Sequence, residues 1–387
     1  VAAGRRILLA YLVFFSGLGA SFPYLPVFYR ETGLALPEIG FLSALGAAVQ
    51  LALAPVWGGL ADRFPRTVLT LPLACAVAAA GGLVLFASST FEGVVIGSVV
   101  LFAGLSGVTP TLDARTLETL GPERRDRYGQ VRAFGSLAFV VSTLLVGLVL
   151  DARGARDLFL IFVPALLLTM VVTATIRRRG DTRSVNVLRG ARAILRYPGV
   201  ALFLVGFVVI WSALAAVNAF YSVQIVALGG DTALVGIAWS VGAAIEVPLM
   251  YSFPRLAARF GTERLLVVGT VSFVLRALLA ALAVDPIILV AIAPLEGLGF
   301  SAVFVGGVTV LAARAPAGMG GTAQGLFSAS AGFASIVGSF AGGAIAGVVG
   351  IAGLFAVCAG VGCIGTIVVA VALLRQSPAV GAEQVAA

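Results

Sequence analysis

The sequence predicts an all-α membrane protein: twelve transmembrane helices in two pseudo-symmetric six-helix bundles. Three observations lead there. Of 387 residues, 60% are hydrophobic and 11% are charged, where an ordinary soluble domain carries about 25% charge. Apolar stretches long enough to cross a bilayer recur along the whole chain. The arginines between those stretches gather on one side.

A mean hydropathy of +1.11 means more apolar surface than a water-soluble core can hide. A bilayer is itself an apolar solvent, and each span needs about 20 apolar residues. Such stretches fall near 7–29, 37–61, 67–88, 91–117, 129–150 and 156–176. They resume near 199–226, 232–254, 264–284, 286–312, 320–347 and 350–374. Many contain Gly, Pro, Ser and Thr. Membrane helices tolerate these because small residues allow close packing and neighbours satisfy freed backbone groups. Arg5 and Arg6 precede a run that continues past Tyr24 with no small-residue cleavage site. It reads as the first span rather than a leader.

All 25 basic residues are arginine. With a cytoplasmic N-terminus, 19 of them fall in cytoplasmic segments and only Arg30, Arg153 and Arg156 on the other side. This positive-inside bias predicts an even number of spans and both termini in the cytoplasm. The net charge of +8 is then a topology signal, and no nucleic-acid partner is expected. There is no histidine, which removes a histidine metal site and a histidine proton switch. Cys75, Cys358 and Cys363 lie inside apolar stretches, so neither a disulfide framework nor a metal is expected.

The longest polar stretch, 177–198, divides the chain. It is read as a cytoplasmic linker between an N-terminal bundle, 1–176, and a C-terminal bundle, 199–387. Shifting one half by 196 residues lays Gly40, Gly46 and Ala47 on Gly236, Gly242 and Ala243. Leu60, Arg63 and Phe64 meet Leu256, Arg259 and Phe260, and Gly147 and Gly154 meet Gly343 and Gly350. A parallel repeat of six-helix units, related by an axis along the membrane normal, is a transporter architecture.

Gly58-Gly59-Leu60-Ala61-Asp62-Arg63-Phe64-Pro65-Arg66, between the second and third spans, resembles the cytoplasmic loop signature of the major facilitator superfamily. Pro65 stands where that family usually has glycine. Asp62 can cap the next helix and the arginines can bridge helix ends. The resemblance implies a latch built from Gly58, Asp62, Arg63 and Arg66. Three further segments resemble the branch containing lactose permease, nucleoside–proton symporters and phenylpropionate permeases. They are Tyr128–Ser136, Thr322–Ala329 and Phe22-Pro23-Tyr24-Leu25-Pro26.

An ionisable side chain at bilayer depth costs about 2.5–3.5 kcal/mol or more, so it is a functional candidate by default. Asp113, Arg132, Glu246, Arg276 and Glu296 qualify. Asp113 and Arg132 flank the loop between the fourth and fifth spans and can meet across a cavity. The resemblance implies substrate contact for both, since lactose permease carries a carboxylate and an arginine at about these positions. The aromatic residue seven places later, which stacks on sugar there, is Phe139 here. Glu246, Arg276 and Glu296 combine two carboxylates with one guanidinium, an excess negative charge suited to taking up and releasing a proton. In the permease the matching part of the tenth helix carries histidine and, three residues on, glutamate; here these are Glu296 and Gly299. Glu296 is therefore the first proton carrier and Glu246 the second, with a static pairing to Arg276 as the alternative reading. Gln50 is the repeat equivalent of Glu246. Tyr24, Asn218, Tyr221 and Gln50 complete the candidate substrate site. Trp57, Trp211 and Trp239 read as packing residues or interface anchors.

The expected function is proton-coupled symport of a small polar organic solute of the sugar, nucleoside or aromatic acid class, by alternating access. The expected partners are that solute and the lipid bilayer, with protons as the coupling ion and no cofactor. The expected setting is a monomer in the plasma membrane, a bacterial inner membrane. Proton-driven efflux of amphiphilic compounds and a non-transporting sensor with a permease fold are the alternatives. No nucleotide loop or metal cluster suggests an enzyme.

Overall fold

One local event repeats along the chain: an apolar run winds into a helix, a glycine or proline stops it, and a capped turn starts the next. Thr90, Asp231 and Asp285 each accept a bond from a backbone N–H in the first turn of the following helix, which satisfies donors that a helix start leaves open. The computed structural model describes residues 2–63, 69–121, 128–176, 194–195, 199–314 and 320–374.

Span 1 comprises Ala2–Ser21 and Leu25–Glu31, followed by span 2 (Leu36–Arg63), span 3 (Thr70–Ala87) and span 4 (Phe91–Leu120). Span 5 is Tyr128–Arg153 and span 6 is Leu158–Ala174. Span 7 (Val200–Ala227), span 8 (Thr232–Phe260) and span 9 (Thr262–Ala281) follow. Span 10 comprises Pro286–Ile292 and Pro294–Arg314. The last element, Gly320–Leu374, bends at Gly350 and supplies spans 11 and 12. The spans form the two six-helix bundles that the hydropathy pattern predicts. Spans 1 and 10 were expected to be continuous and are not. Phe22-Pro23 and Pro294 interrupt them, because proline lacks the N–H that a helix interior needs.

Large apolar side chains such as Leu83, Ile96, Leu145 and Ile367 are more than half exposed. A soluble protein would bury them, whereas lipid covers them here. At the arginine-poor end, Arg153 pairs with Asp157 at 2.5 Å and Arg156 donates to the carbonyls of Phe86 and Ser88.

The repeat is visible in the backbone. Gly33 and Gly229 have φ of +88° and +87°, and Gly154 and Gly350 have +92° and +75°. Both pairs are 196 residues apart. Each sits at a chain reversal in the left-handed region that side-chain-bearing residues avoid.

Four repeat-matched glycines also form the contact between the bundles. Gly40 of span 2 abuts Gly343 of span 11: a Cβ on Gly40 would stand 2.7 Å from the Gly343 nitrogen. At the equivalent crossing, Gly147 of span 5 faces Gly236 of span 8, with the Tyr24 hydroxyl between them. Thr232 donates to the Gly147 carbonyl at 2.9 Å and Ser240 to the Val140 carbonyl at 2.9 Å. All these contacts lie toward the arginine-poor end. At the other end, a Cβ on Gly58, Gly59, Gly129 or Gly321 would meet nothing within 4 Å among the described residues, so these glycines make no such crossing there. The Asp62 side chain, Arg66 and all but two residues of the 177–198 segment lie outside the described residues.

Candidate functional site: a charged chamber between the bundles

Between the bundles lies a chamber of about 590 Å³ lined from both halves. Among the described residues, its charged lining residues are Arg132, Glu246, Arg276 and Glu296. The break in span 10 puts Glu296 in the first turn of its second segment. Span 8 packs against that turn through glycines. A Cβ on Gly297 would stand 2.9 Å from the Glu246 nitrogen, and one on Gly242 would stand 3.7 Å from the Glu296 Cβ. The two carboxylates therefore share one wall.

Their surroundings differ. Arg276 donates to Glu296 Oε2 at 2.6 Å and to Asn218 Oδ1 at 2.8 Å. The Asn218 amide donates to Glu296 Oε1 at 3.1 Å, which closes a three-residue ring. Below it, the Arg276 guanidinium lies over the Tyr221 ring at 4.0 Å, and the Tyr221 hydroxyl donates to the Leu289 carbonyl at 2.5 Å. Arg276 is 3% exposed and Glu296 15%. Glu246 is half-buried, and its carboxylate makes no hydrogen bond or ion pair among the described residues. Among the described residues Arg132 has no ion pair either; its guanidinium lies over the Phe15 ring at 4.3 Å. The chamber thus holds one neutralised pair and two opposite charges left open.

Arg132, Phe139, Gln50, Asn218, Tyr221, Glu246, Arg276 and Glu296 all line this space. Two expected substrate residues do not. Asp113 is not among the lining residues; the Tyr11 hydroxyl donates to its Oδ1 and ties span 4 to span 1. Tyr24 is fully buried and donates to the Thr143 carbonyl, so it belongs to the contact between bundles. Arg115 donates to the carbonyls of Thr173 and Ile176, closing the end of span 6. The two glutamates differ: Glu296, ranked first from sequence, is paired with Arg276, and Glu246 has no ion pair among the described residues. Gly58 and Arg63 are exposed at the end of span 2.

Trp211 and Trp239, expected as packing residues or interface anchors, line the chamber. Phe22 meets Trp239 edge-on at 5.5 Å, and Trp211 lies 5.7 Å from Phe300. Trp239 lies two turns of helix before Glu246 on the same face of span 8, but spacing marks only a shared face, not a chamber wall.

The MFS_1-like family model matches residues 5–357. A maltose permease of Geobacillus stearothermophilus is 31% identical over 290 residues, 74% of this chain and 73% of its own. A probable 3-phenylpropionic acid transporter of Escherichia coli (strain K12) is 27% identical over 291 residues, 70% and 72% of the two chains. Among solved structures, the nucleoside transporter NupG superposes with a TM-score of 0.86 at 15% identity, covering 97% of this chain and 100% of that one. That last likeness speaks to the fold.

Proposed function

Because the chain belongs to the MFS_1-like family, we propose that it is a secondary transporter coupling uptake of a small organic solute to inward proton flow. The single observation that carries this reading is the Glu246 carboxylate: half-buried, lining the chamber and without a hydrogen-bond or ion-pair partner among the described residues. A charge in such surroundings needs compensation, and a proton supplies it. Glu246 is the proton carrier in this reading, and the Arg276–Glu296–Asn218 ring is the rigid wall against which it works. Facing it from the packed spans are Arg132 (span 5), Tyr221 (span 7), Arg276 (span 9) and Glu296 (span 10).

The bundles touch at the arginine-poor end, and the described glycines at the arginine-rich end make no such crossing. The charge bias supports a cytoplasmic arginine-rich end, with both termini there, and this reading takes the membrane to be a bacterial inner membrane. The chamber then faces the cytoplasm, and rocking of the bundles about the glycine crossings would expose it to the other side. Solute and proton must favour the same state, and the effect is reciprocal.

The test uses the purified chain in vesicles holding a trapped pH-sensitive dye. Maltose, uridine and 3-phenylpropionate are added outside in turn. Entry of one of them should acidify the interior above protein-free vesicles, and Glu246→Gln should abolish the acidification while solute counterflow persists. Counterflow in the parent chain without any proton movement would sink the coupling.

A further inference from the structure

Charge and hydrogen-bonding capacity in the chamber together narrow the solute, granted the coupling reading above. Two arginines and two glutamates give the empty, fully ionised chamber a net charge of zero. One pair is closed on itself; the other, Arg132 and Glu246, is open. A guanidinium stacked on an aromatic ring keeps its in-plane N–H donors free, and that fork matches a carboxylate.

The rest of the wall offers little to a polyhydroxylated solute. Nine lining residues are aromatic. Ser43 and Ser335 donate their hydroxyls to the carbonyls of Ile39 and Ala331, which leaves them as acceptors, Asn218 is held in the ring with Arg276, and Trp239 donates to Ser222. Besides Arg132 and Glu246, the lining side chains whose polar groups make no hydrogen bond among the described residues are Gln50, Trp211 and Ser339. A sugar would bring many more hydroxyls than these groups can satisfy, and each buried unpaired one costs about 1–3 kcal/mol. An aromatic ring needs no such partners and packs between Trp211, Phe300 and Phe139.

We propose that the solute is an aromatic monocarboxylate, its carboxylate held by Arg132, carried together with one proton that resides on Glu246. The proton balance follows from the charges. An anion entering the neutral chamber leaves it at −1, unfavourable in low dielectric; protonation of Glu246 returns it to zero. The loaded chamber, Arg132⁺ with solute⁻, Arg276⁺ with Glu296⁻ and neutral Glu246, has the same net charge as the empty one. Transport is therefore electroneutral, one anion with one proton. A protonated aromatic amine would leave the same chamber at +1, and pairing it with Glu246 would remove the proton from the cycle.

The test has two readouts on the full chain. The first is binding in detergent, by calorimetry, of 3-phenylpropionate, 3-phenylpropanol, phenethylamine and maltose. Only the acid should bind tightly. Arg132→Gln should weaken it about 10- to 100-fold, the range of a charge-assisted hydrogen bond, and Arg132→Lys should fall between. If Arg132→Gln fails to fold, the comparison of acid with alcohol on the parent chain reads the same carboxylate contribution. The second readout is uptake in vesicles with the potential set by valinomycin and potassium. Acid uptake above protein-free vesicles should follow an inside-alkaline pH gradient and ignore the potential. Tight maltose binding with proton movement, and none by the acid, would overturn the solute class while leaving the coupling intact. Acid uptake that responds to the potential would overturn the one-to-one balance. Binding of alcohol and acid with equal affinity would overturn the role of Arg132.

Discussion

The guanidinium of Arg276 stands 2.6 Å from the Glu296 carboxylate and is almost fully removed from solvent. Such a pair contributes little net stability against an apolar substitute, but losing one member leaves the other charged and alone. Arg276→Gln should therefore cost about 3–5 kcal/mol, read as a lowered midpoint of thermal or denaturant unfolding in detergent. The double variant Arg276→Gln with Glu296→Gln should recover most of the loss. A double variant as unstable as Arg276→Gln alone would mean that the lost stability came from packing over Tyr221 and not from charge.

Glu246 has the opposite character: none of the described residues is paired with it, so little stability rests on its ionisation. Glu246→Gln should unfold near the parent midpoint and yet lose coupling. The sign is set by direction. A proton entering with solute means that uptake by the parent rises as external pH falls below internal pH. In Glu246→Gln the pH dependence should be flat, with counterflow retained. In Glu296→Gln the dependence should survive, with lower stability from the unpaired arginine. If the two variants exchanged these behaviours, Glu296 would be the carrier after all. The readout is initial uptake rate across a series of external pH values.

Much of this was legible in the sequence, and the limits have physical causes. Twelve spans and the repeat follow from composition and spacing, because lipid demands long apolar runs and the repeat keeps glycines where backbones must touch. Gly40, Gly147, Gly236 and Gly343 matched in the sequence before they met in space. The choice between Glu246 and Glu296 was not legible. Both are glutamates in apolar helices, and which one reaches Arg276 depends on Pro294 breaking span 10 and on Asn218 completing the ring. Asp113 was drawn toward the chamber by its spacing from Arg132, but Tyr11, over a hundred residues away, holds it elsewhere. Trp211 and Trp239 read from the sequence as packing residues or interface anchors because periodicity does not distinguish a wall from a core.

Gly297 tests how span packing serves the site. A Cβ there would stand 2.9 Å from the Glu246 nitrogen and 3.0 Å from the Ile245 Cβ, both on span 8. Overpacking of this kind costs about 1–3 kcal/mol, and relief requires spans 8 and 10 to separate, which moves both carboxylates. Gly297→Ala should lower the unfolding midpoint and reduce proton-driven accumulation together. Gly129→Ala, where a Cβ meets nothing within 4 Å, should change neither. A Gly297→Ala chain with parent stability would show that these two spans can part without cost.

The glycine crossings lead to a prediction about the transport cycle itself. At Gly236 a Cβ would stand 2.6 Å from the Tyr24 hydroxyl and 2.7 Å from the Thr143 carbonyl. Tyr24 is fully buried and tied to that same carbonyl, so neither atom can yield easily. The crowding exists only while the bundles touch at the arginine-poor end. Gly236→Ala should therefore penalise this state alone, by about 1–3 kcal/mol, shifting the ratio of the two facing states about 5- to 150-fold. A cysteine at Ala243, which lines the chamber, reports the shift in a background lacking the native cysteines. In the parent, a membrane-impermeant maleimide should reach it from the arginine-rich face. In Gly236→Ala it should react from the opposite face. The equivalent Gly40→Ala should act the same way, since its Cβ would meet the Ser339 carbonyl at 2.6 Å. Adding Tyr24→Phe should restore part of the parent pattern in Gly236→Ala and none in Gly40→Ala, where no hydroxyl stands between the bundles. Unchanged labelling in a folded Gly236→Ala chain would show that the bundles do not part at this crossing.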